Sequence, residues 1–244
     1  MTIVLRVQGG FCNRLRAIVC GCLWADDIQT NLFIYWPEEP GHMPCRIEEV
    51  LDTKTIPHLL GYQQGYIRNA RQVLSHADME TVLSIQPMLK TDEIRIESYS
   101  IFHNDLLHKT ERALEFLRKI QVNACLDGVA RFEPIGVCVG MHIRRTDHKK
   151  CMLASPLESF RDYLDKCSEK VFLATDDAEV KKEFVEKYNL ISPTTTLGRF
   201  TKDQQLHGIL DWLLLQRCVR IVASQGSSFS ELAAWRAGIP LDVI

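Results

Sequence analysis

An α/β protein with mainly parallel, doubly wound sheets is what this chain predicts, and three observations predict it. Short apolar runs such as Val137-Cys138-Val139 and Val171-Phe172-Leu173-Ala174 show no polar alternation, so each reads as a strand covered on both faces. Stretches of helical period fall between the runs, and strands alternating with helices imply a parallel sheet. Polar and charged residues stand directly on the strand ends, as in Gly140-Met141-His142-Ile143-Arg144-Arg145-Thr146-Asp147, where open α/β sheets gather their chemistry.

In chain order, Thr2 to Val7 is a strand that runs into Gln8-Gly9-Gly10-Phe11-Cys12-Asn13-Arg14. Two glycines let the backbone turn tightly. A helix follows from about Asn13, with Leu15, Ile18, Val19, Cys22 and Leu23 on its buried face. Leu32 to Trp36 is the second strand, and Pro37 to Pro44 is a loop rich in proline, glycine and acid. From Cys45 to Met88 the pattern weakens to helical pieces at Ile47 to Leu51 and Ala70 to Leu74, separated by Gly61 and Gly65. Such a region suits specificity loops, and Trp36, Tyr62, Tyr66, Arg68 and Arg71 are its sugar-facing candidates, the core being the competing place for the aromatics. Glu93 to Ser98 alternates as a strand and Leu106 to Ile120 is an amphipathic helix. Asp127 to Pro134, with the breakers Gly128 and Pro134, marks a junction, so the domains are 1–130 and 131–244.

The second half has a cleaner rhythm. A strand over 135–143 precedes a helix from Pro156 to Cys167, and Val171 to Ala174 is a strand ending in Thr175-Asp176-Asp177. A helix over Glu179 to Tyr188 and a short strand at Leu190-Ile191 follow. Lys202 to Arg217 is the best helix, with Leu206, Ile209, Leu210, Leu213 and Leu214 on one side and His207 and Asp211 together on another. A strand at 219–223 leads through Ser224-Gln225-Gly226-Ser227-Ser228-Phe229-Ser230 into a helix over Glu231 to Ala237.

Composition removes several function classes. The net charge is −2, so nothing favours nucleic acid or an acidic membrane surface, and any anion site must be local. No run approaches the ~20 apolar residues of a membrane span, and the N-terminus has no signal-peptide pattern. Nine cysteines without a Cys-x-x-Cys pair form neither a disulfide framework nor a zinc ribbon. No metal site is expected, and reduced thiols favour a cytoplasmic location.

The strand ends supply the chemistry. His142 and Arg144 project to one face of their strand, and a guanidinium there matches a phosphate bidentately, while Asp147 suits a hydroxyl. A surface Arg-Asp ion pair closing a loop is the competing reading. Ser227-Ser228 offers hydroxyls and helix N-terminal amides, and Asp176, Asp177 and Asp211 offer acceptors for base or ribose donors. The glycine turn also presents amides and a helix dipole to an anion. It matches neither a Walker loop nor the dinucleotide fingerprint.

These residues carry a resemblance. His142-Ile143-Arg144-Arg145-Thr146-Asp147 resembles the His-x-Arg-Arg-Thr-Asp motif of the alpha-1,6-fucosyltransferases. Phe172-Leu173-Ala174-Thr175-Asp176-Asp177 is similar to their second motif, and Gly208-Ile209-Leu210-Asp211 with Ser227-Ser228 to their third. The match spans Gly136 to Gly238 in order. Gly9-Gly10-Phe11-Cys12-Asn13-Arg14 is similar to the N-terminal loop of related nodulation and protein O-fucosyltransferases.

The resemblance implies a GT-B-like glycosyltransferase with two Rossmann-like lobes and a cleft between them. The lobe 1–130 would serve the acceptor side and 131–244 the donor. It implies an inverting transfer of fucose from GDP-fucose to a glycan hydroxyl, with no metal or other cofactor. Residue by residue, it puts Arg144 on the β-phosphate, His142 beside the nucleotide and Asp211 on guanine. Ser227 and Ser228 would hold phosphate, and the backbone of Gly9, Gly10, Phe11, Cys12 and Asn13 would close over the diphosphate. Preorganised donors would stabilise the charge that develops on the leaving group.

The sequence departs from the family after the first motif, reading Asp147-His148-Lys149-Lys150-Cys151-Met152 with no Glu before Glu158. The base is therefore open among Asp147, His148 and an N-terminal acid such as Asp105 or Glu38. Asp176 and Asp177 either touch the donor or shape its pocket. Without the anchor and stem of the eukaryotic enzymes, the chain is expected to be a cytosolic enzyme of microbial or viral kind. The competing functions are the same scaffold with another donor, such as UDP-xylose or GDP carrying another sugar, and a non-catalytic nucleotide-sugar-binding protein.

Overall fold

The computed structural model describes residues 2–64, 93–98, 101–146, 149–193, 196–198 and 200–244. The chain divides into two compact units, 1–124 and 125–244.

In the first unit four parallel strands lie in the order β3-β2-β1-β4, with β1 at Thr2–Val7, β2 at Asn31–Trp36, β3 at Leu59–Gln64 and β4 at Glu93–Ser98. The inner strand β1 is apolar because both faces are covered: Ile3, Leu5 and Val7 are fully buried on one face and Val4 is buried on the other. Helix α1, Phe11–Asp27, returns across the sheet. A Cβ added at its Gly21 would stand 3.0 Å from Leu5 Cδ2 and 3.1 Å from Leu32 Cδ1, so the missing side chain lets helix and strands close together. Among the described residues three shorter α-helices follow: α2 at Ile47–Val50, α3 at Asn104–Leu107 and α4 at Glu111–Lys119. The last two pack on α1, which explains why α1 is apolar on nearly all sides.

The second unit repeats the plan with β5 Val139–Ile143, β6 Val171–Thr175, β7 Ile221–Ala223 and β8 Leu241–Val243, in the parallel order β6-β5-β7-β8. Its helices are α5 Ala124–Phe132, α6 Lys149–Ala154, α7 Leu157–Leu164, α8 Ala178–Tyr188, α9 Lys202–Leu215 and α10 Ser228–Ala237. Alternation along β5 sorts its side chains. Val139, Met141 and Ile143 join Phe160, Leu164 and Phe184 in one apolar cluster. Gly140 faces the other way, where an added Cβ would lie 2.8 Å from Leu215 Cδ2. Among the described residues no helix is long and apolar enough to cross a membrane.

Several elements differ from expectation, each for a local reason. Gly61, expected as a breaker, lies inside β3, where a side chain would meet the Phe33 ring at 3.1 Å. The expected helix from Leu106 to Ile120 is two, because Lys109 takes φ 51° and Thr110 caps α4 by accepting from Ala113 N at 3.3 Å. The expected junction at 127–134 is largely the helix α5, with Gly128 inside it. Strand β5 starts at Val139 rather than 135, after a turn with Gly136 at φ 63°. Ile191 makes an isolated bridge to Phe172 instead of a strand, whereas α6 and β8 carry no clear sequence signal. Ala70 to Leu74, Tyr66, Arg68 and Arg71 lie outside the described residues.

Candidate functional site

Because β5, β6 and β7 are parallel and paired as Ile143 with Thr175 and His142 with Ala223, the residues that follow them leave the sheet at one edge. Arg144, Asp176 and Ser224 are those residues. The Arg144 amide donates to Ser224 Oγ at 3.0 Å, and its guanidinium Nη1 meets Asp176 Oδ2 at 2.9 Å. Asp176 also accepts from the Arg145 amide at 2.8 Å and from Thr146 Oγ1 at 2.6 Å. One carboxylate therefore organises Arg144, Arg145 and Thr146, and its charge-assisted bonds hold Arg144 at the strand end.

The two arginines divide the work. Arg144 is partly exposed, whereas Arg145 is 8% exposed and donates to the carbonyls of Met152 and Ser155. Ser155 in turn accepts from the Gln225 amide at 2.8 Å. Arg145 thus ties the α6 segment to the serine-rich turn, a role that its place beside a charged motif residue does not announce. Asp177 caps α8 by accepting from Glu179 N at 2.9 Å and Val180 N at 3.0 Å.

The turn after β7 uses Gly226 at φ 70°, which brings Ser227 to the N-cap of α10 and Ser228 into its first turn. An added Cβ at Gly226 would stand 3.9 Å from Cys151 Sγ, and that thiol feels the charges of Arg144, Asp176 and Glu231. Arg144 and the serine-rich helix start therefore share one rim. Asp211, on α9, is 5% exposed and lies within the field of Lys181, whose ammonium is pulled down in pKa by burial against the pull of that carboxylate. Asp147 and His148 lie outside the described residues. Among the described residues no cluster of three or more His, Cys, Asp or Glu is placed to hold a metal ion.

His142 is 4% exposed, 4.8 Å between ring centroids from Phe229, and its Nδ1 has no hydrogen-bond partner among the described residues. Burial, helped by the Arg144 charge and opposed by Asp176, lowers its pKa from 6.5 to about 4. The ring is neutral at pH 7. In the window between those values the unfolded chain binds the extra proton and the folded one does not, so stability rises with pH and is lost as pH falls from 6.5 toward about 4. The linked loss is about 3 kcal/mol at most. Unfolding midpoints of His142→Gln are expected to fall less steeply with acid than those of the unsubstituted protein; parallel curves would contradict the assignment.

In the first unit Gly9 takes φ 77° and Gly10 caps α1, while Phe11 and Cys12 are each 5% exposed, so their side chains are packed into the core. The Asn13 side chain accepts from Arg16 at 2.6 Å. Beneath the turn lies Arg14, fully buried. Its Nε donates to Gly9 O at 2.8 Å, Nη1 to Pro37 O at 2.7 Å and Nη2 to Glu39 Oε2 at 3.2 Å, with the guanidinium carbon 4.6 Å from the centre of a Trp36 ring. Arg6 bridges Glu39 to Glu97, which also accepts from Gln8. A ladder of alternating charge thus sets the loop that follows β1. Trp36 is buried under Arg14 and faces no sugar; Tyr62 is half-buried and its phenol is pushed up by its bond to Glu48.

Two acids weighed as bases are placed by the same unit. Asp105 sits with Arg112, which also holds Asp26 and Asp27 at the C-terminal end of α1, and so at the opposite edge of the sheet from the Gly9 turn. That removes it from the candidates. Glu38 is exposed, 3.9 Å from Arg46.

Compared by sequence, the chain matches no protein family and no curated protein. Compared by structure, it is similar to NodZ alpha-1,6-fucosyltransferase soaked with GDP-fucose, at 14% identity and a TM-score of 0.61, over 96% of this chain and 91% of that one. It is similar to fucosyltransferase NodZ from Bradyrhizobium, at 15% identity and a TM-score of 0.62, over 95% and 91%. It also resembles POFUT1 in complex with GDP, at 10% identity and a TM-score of 0.62, over 99% and 97%. The chain therefore has the GT-B-like fold of these fucosyltransferases.

Proposed function

We propose that the protein is an inverting glycosyltransferase that moves fucose from GDP-fucose to a hydroxyl of a glycan acceptor without a metal ion. One observation carries the reading: Arg144 stands at a strand end on the same rim as the serine-rich start of α10, in a fold shared with fucosyltransferases. Breaking the anomeric carbon-oxygen bond moves charge onto the diphosphate. A guanidinium and helix N-terminal amides that need no reorganisation stabilise that charge as it forms.

In this reading Arg144 grips the β-phosphate and Ser227 and Ser228 take phosphate oxygens. Neutral His142 lines the nucleotide, and Asp211 accepts from guanine N1–H and the exocyclic amine. Asp176 and Asp177 are positioning residues, the first holding Arg144 and the second starting α8. The Gly9 to Asn13 backbone is assigned as a second anion-binding turn. Asp147 and His148 are the bases to test.

A donor panel of GDP-fucose, a second GDP-sugar and UDP-xylose, with mass detection of released nucleotide, tests this. GDP should be released from GDP-fucose, faster with glycan acceptor present. Preference for UDP-xylose would overturn the donor, and tight GDP binding with no turnover of any sugar nucleotide would overturn the enzyme.

A further inference from the structure

Two thiols meet on the side of the second sheet that Gly140 faces. Cys138, one residue ahead of β5, and Cys218, just past α9, bring their Sγ atoms to 3.7 Å, and they are 2% and 3% exposed. The room comes from Gly140, where an added Cβ would stand 3.1 Å from Cys218 Sγ. We propose that Cys138 and Cys218 form a peroxide-reactive dithiol that closes to a reversible disulfide. This modification site stands apart from the transferase reading.

The pair is built asymmetrically. The hydrogen bond with Cys218 and the nearby Arg217 charge hold the Cys138 thiol below its ordinary pKa against the effect of burial, while the same bond and burial push Cys218 far up. Arg217 is itself fixed by the carbonyls of Ala130 and Glu133. Cys138 is thus assigned as the attacking sulfur and Cys218 as the resolving one. The turn just before Cys138 lies at the surface, with Val137 81% exposed and Gly136 exposed too.

The Cys138 thiolate attacks one oxygen of hydrogen peroxide; a sulfur-oxygen bond forms, the oxygen-oxygen bond breaks and hydroxide leaves, giving a sulfenic acid. The Cys218 sulfur then attacks the Cys138 sulfur. The sulfur-sulfur bond forms, the sulfur-oxygen bond breaks, and the departing hydroxyl takes the thiol proton as water. Two electrons pass from the thiols to peroxide.

The test treats the reduced, folded protein with hydrogen peroxide, blocks remaining thiols with iodoacetamide and maps the peptides. A linked Cys138–Cys218 peptide that dithiothreitol releases is expected as the main oxidised species. Alkylation of both residues after oxidation, or preferential oxidation of Cys125 or Cys167, overturns the proposal. In Cys218→Ser, dimedone should label Cys138, and in Cys138→Ser it should leave Cys218 unlabelled; the reverse pattern also overturns it. The map of the unsubstituted protein decides even where a variant fails to fold.

Discussion

Arg144→Ala is expected to lower kcat/KM for GDP-fucose roughly 100- to 1000-fold, about 3–4 kcal/mol of transition-state stabilisation, because the lost donor meets charge that appears only as the diphosphate leaves. The loss should sit in kcat more than in KM. Stability should barely move. Asp176 keeps the Arg145 amide and Thr146 hydroxyl as donors when the guanidinium goes, so a cost of ~1 kcal/mol would shift the unfolding midpoint by about 2–4 °C. Arg144→Lys should fall between, since an ammonium keeps the charge and loses the fork. Released GDP under initial-rate conditions, beside a circular-dichroism melt, gives both numbers. Near-normal turnover of Arg144→Ala would remove the central claim of the proposed mechanism.

What could be read without coordinates divides by the kind of signal. Val171 to Ala174 and Leu32 to Ile34 are strands because unbroken apolar runs of that length fit a sheet covered on both faces, and the structure has them there. Edge position does not decide legibility, since β6 is itself at a sheet edge; β3 is hidden because it carries Leu60 at 64% exposure and a glycine, so neither periodicity nor composition marks it. At the rim, residue type identified who is present but not which way each side chain turns. Arg144 and Arg145 are neighbours of one chemistry, yet one stands at the strand end and the other is spent on two carbonyls. Asp177 had a usable signal, an acid directly before a helical stretch, which marks an N-cap. Arg14 had one as well. It falls between Phe11 and Ile18 on the apolar stripe of α1, where a charge must be buried and therefore paired.

That pairing makes Arg14→Met the second large effect. The substitution leaves the carbonyls of Gly9 and Pro37 without their donor and takes one of two cations from Glu39. Breaking a buried ion pair from one side costs about 3–5 kcal/mol, because the partner stays desolvated. Lysine cannot replace it, since one ammonium cannot span three acceptors that the planar fork reaches together. Arg14→Met/Glu39→Gln should regain part of the loss by removing a carboxylate left with Arg6 as its remaining cation, and urea midpoints of the single and double variants measure that coupling. The carbonyl of Gly9 would still lack its donor. The double variant is therefore expected to recover stability without recovering turnover of GDP-fucose, which separates a guanidinium that sets the glycine turn from one that only holds the unit together. If stability and turnover return in step, the role is structural alone.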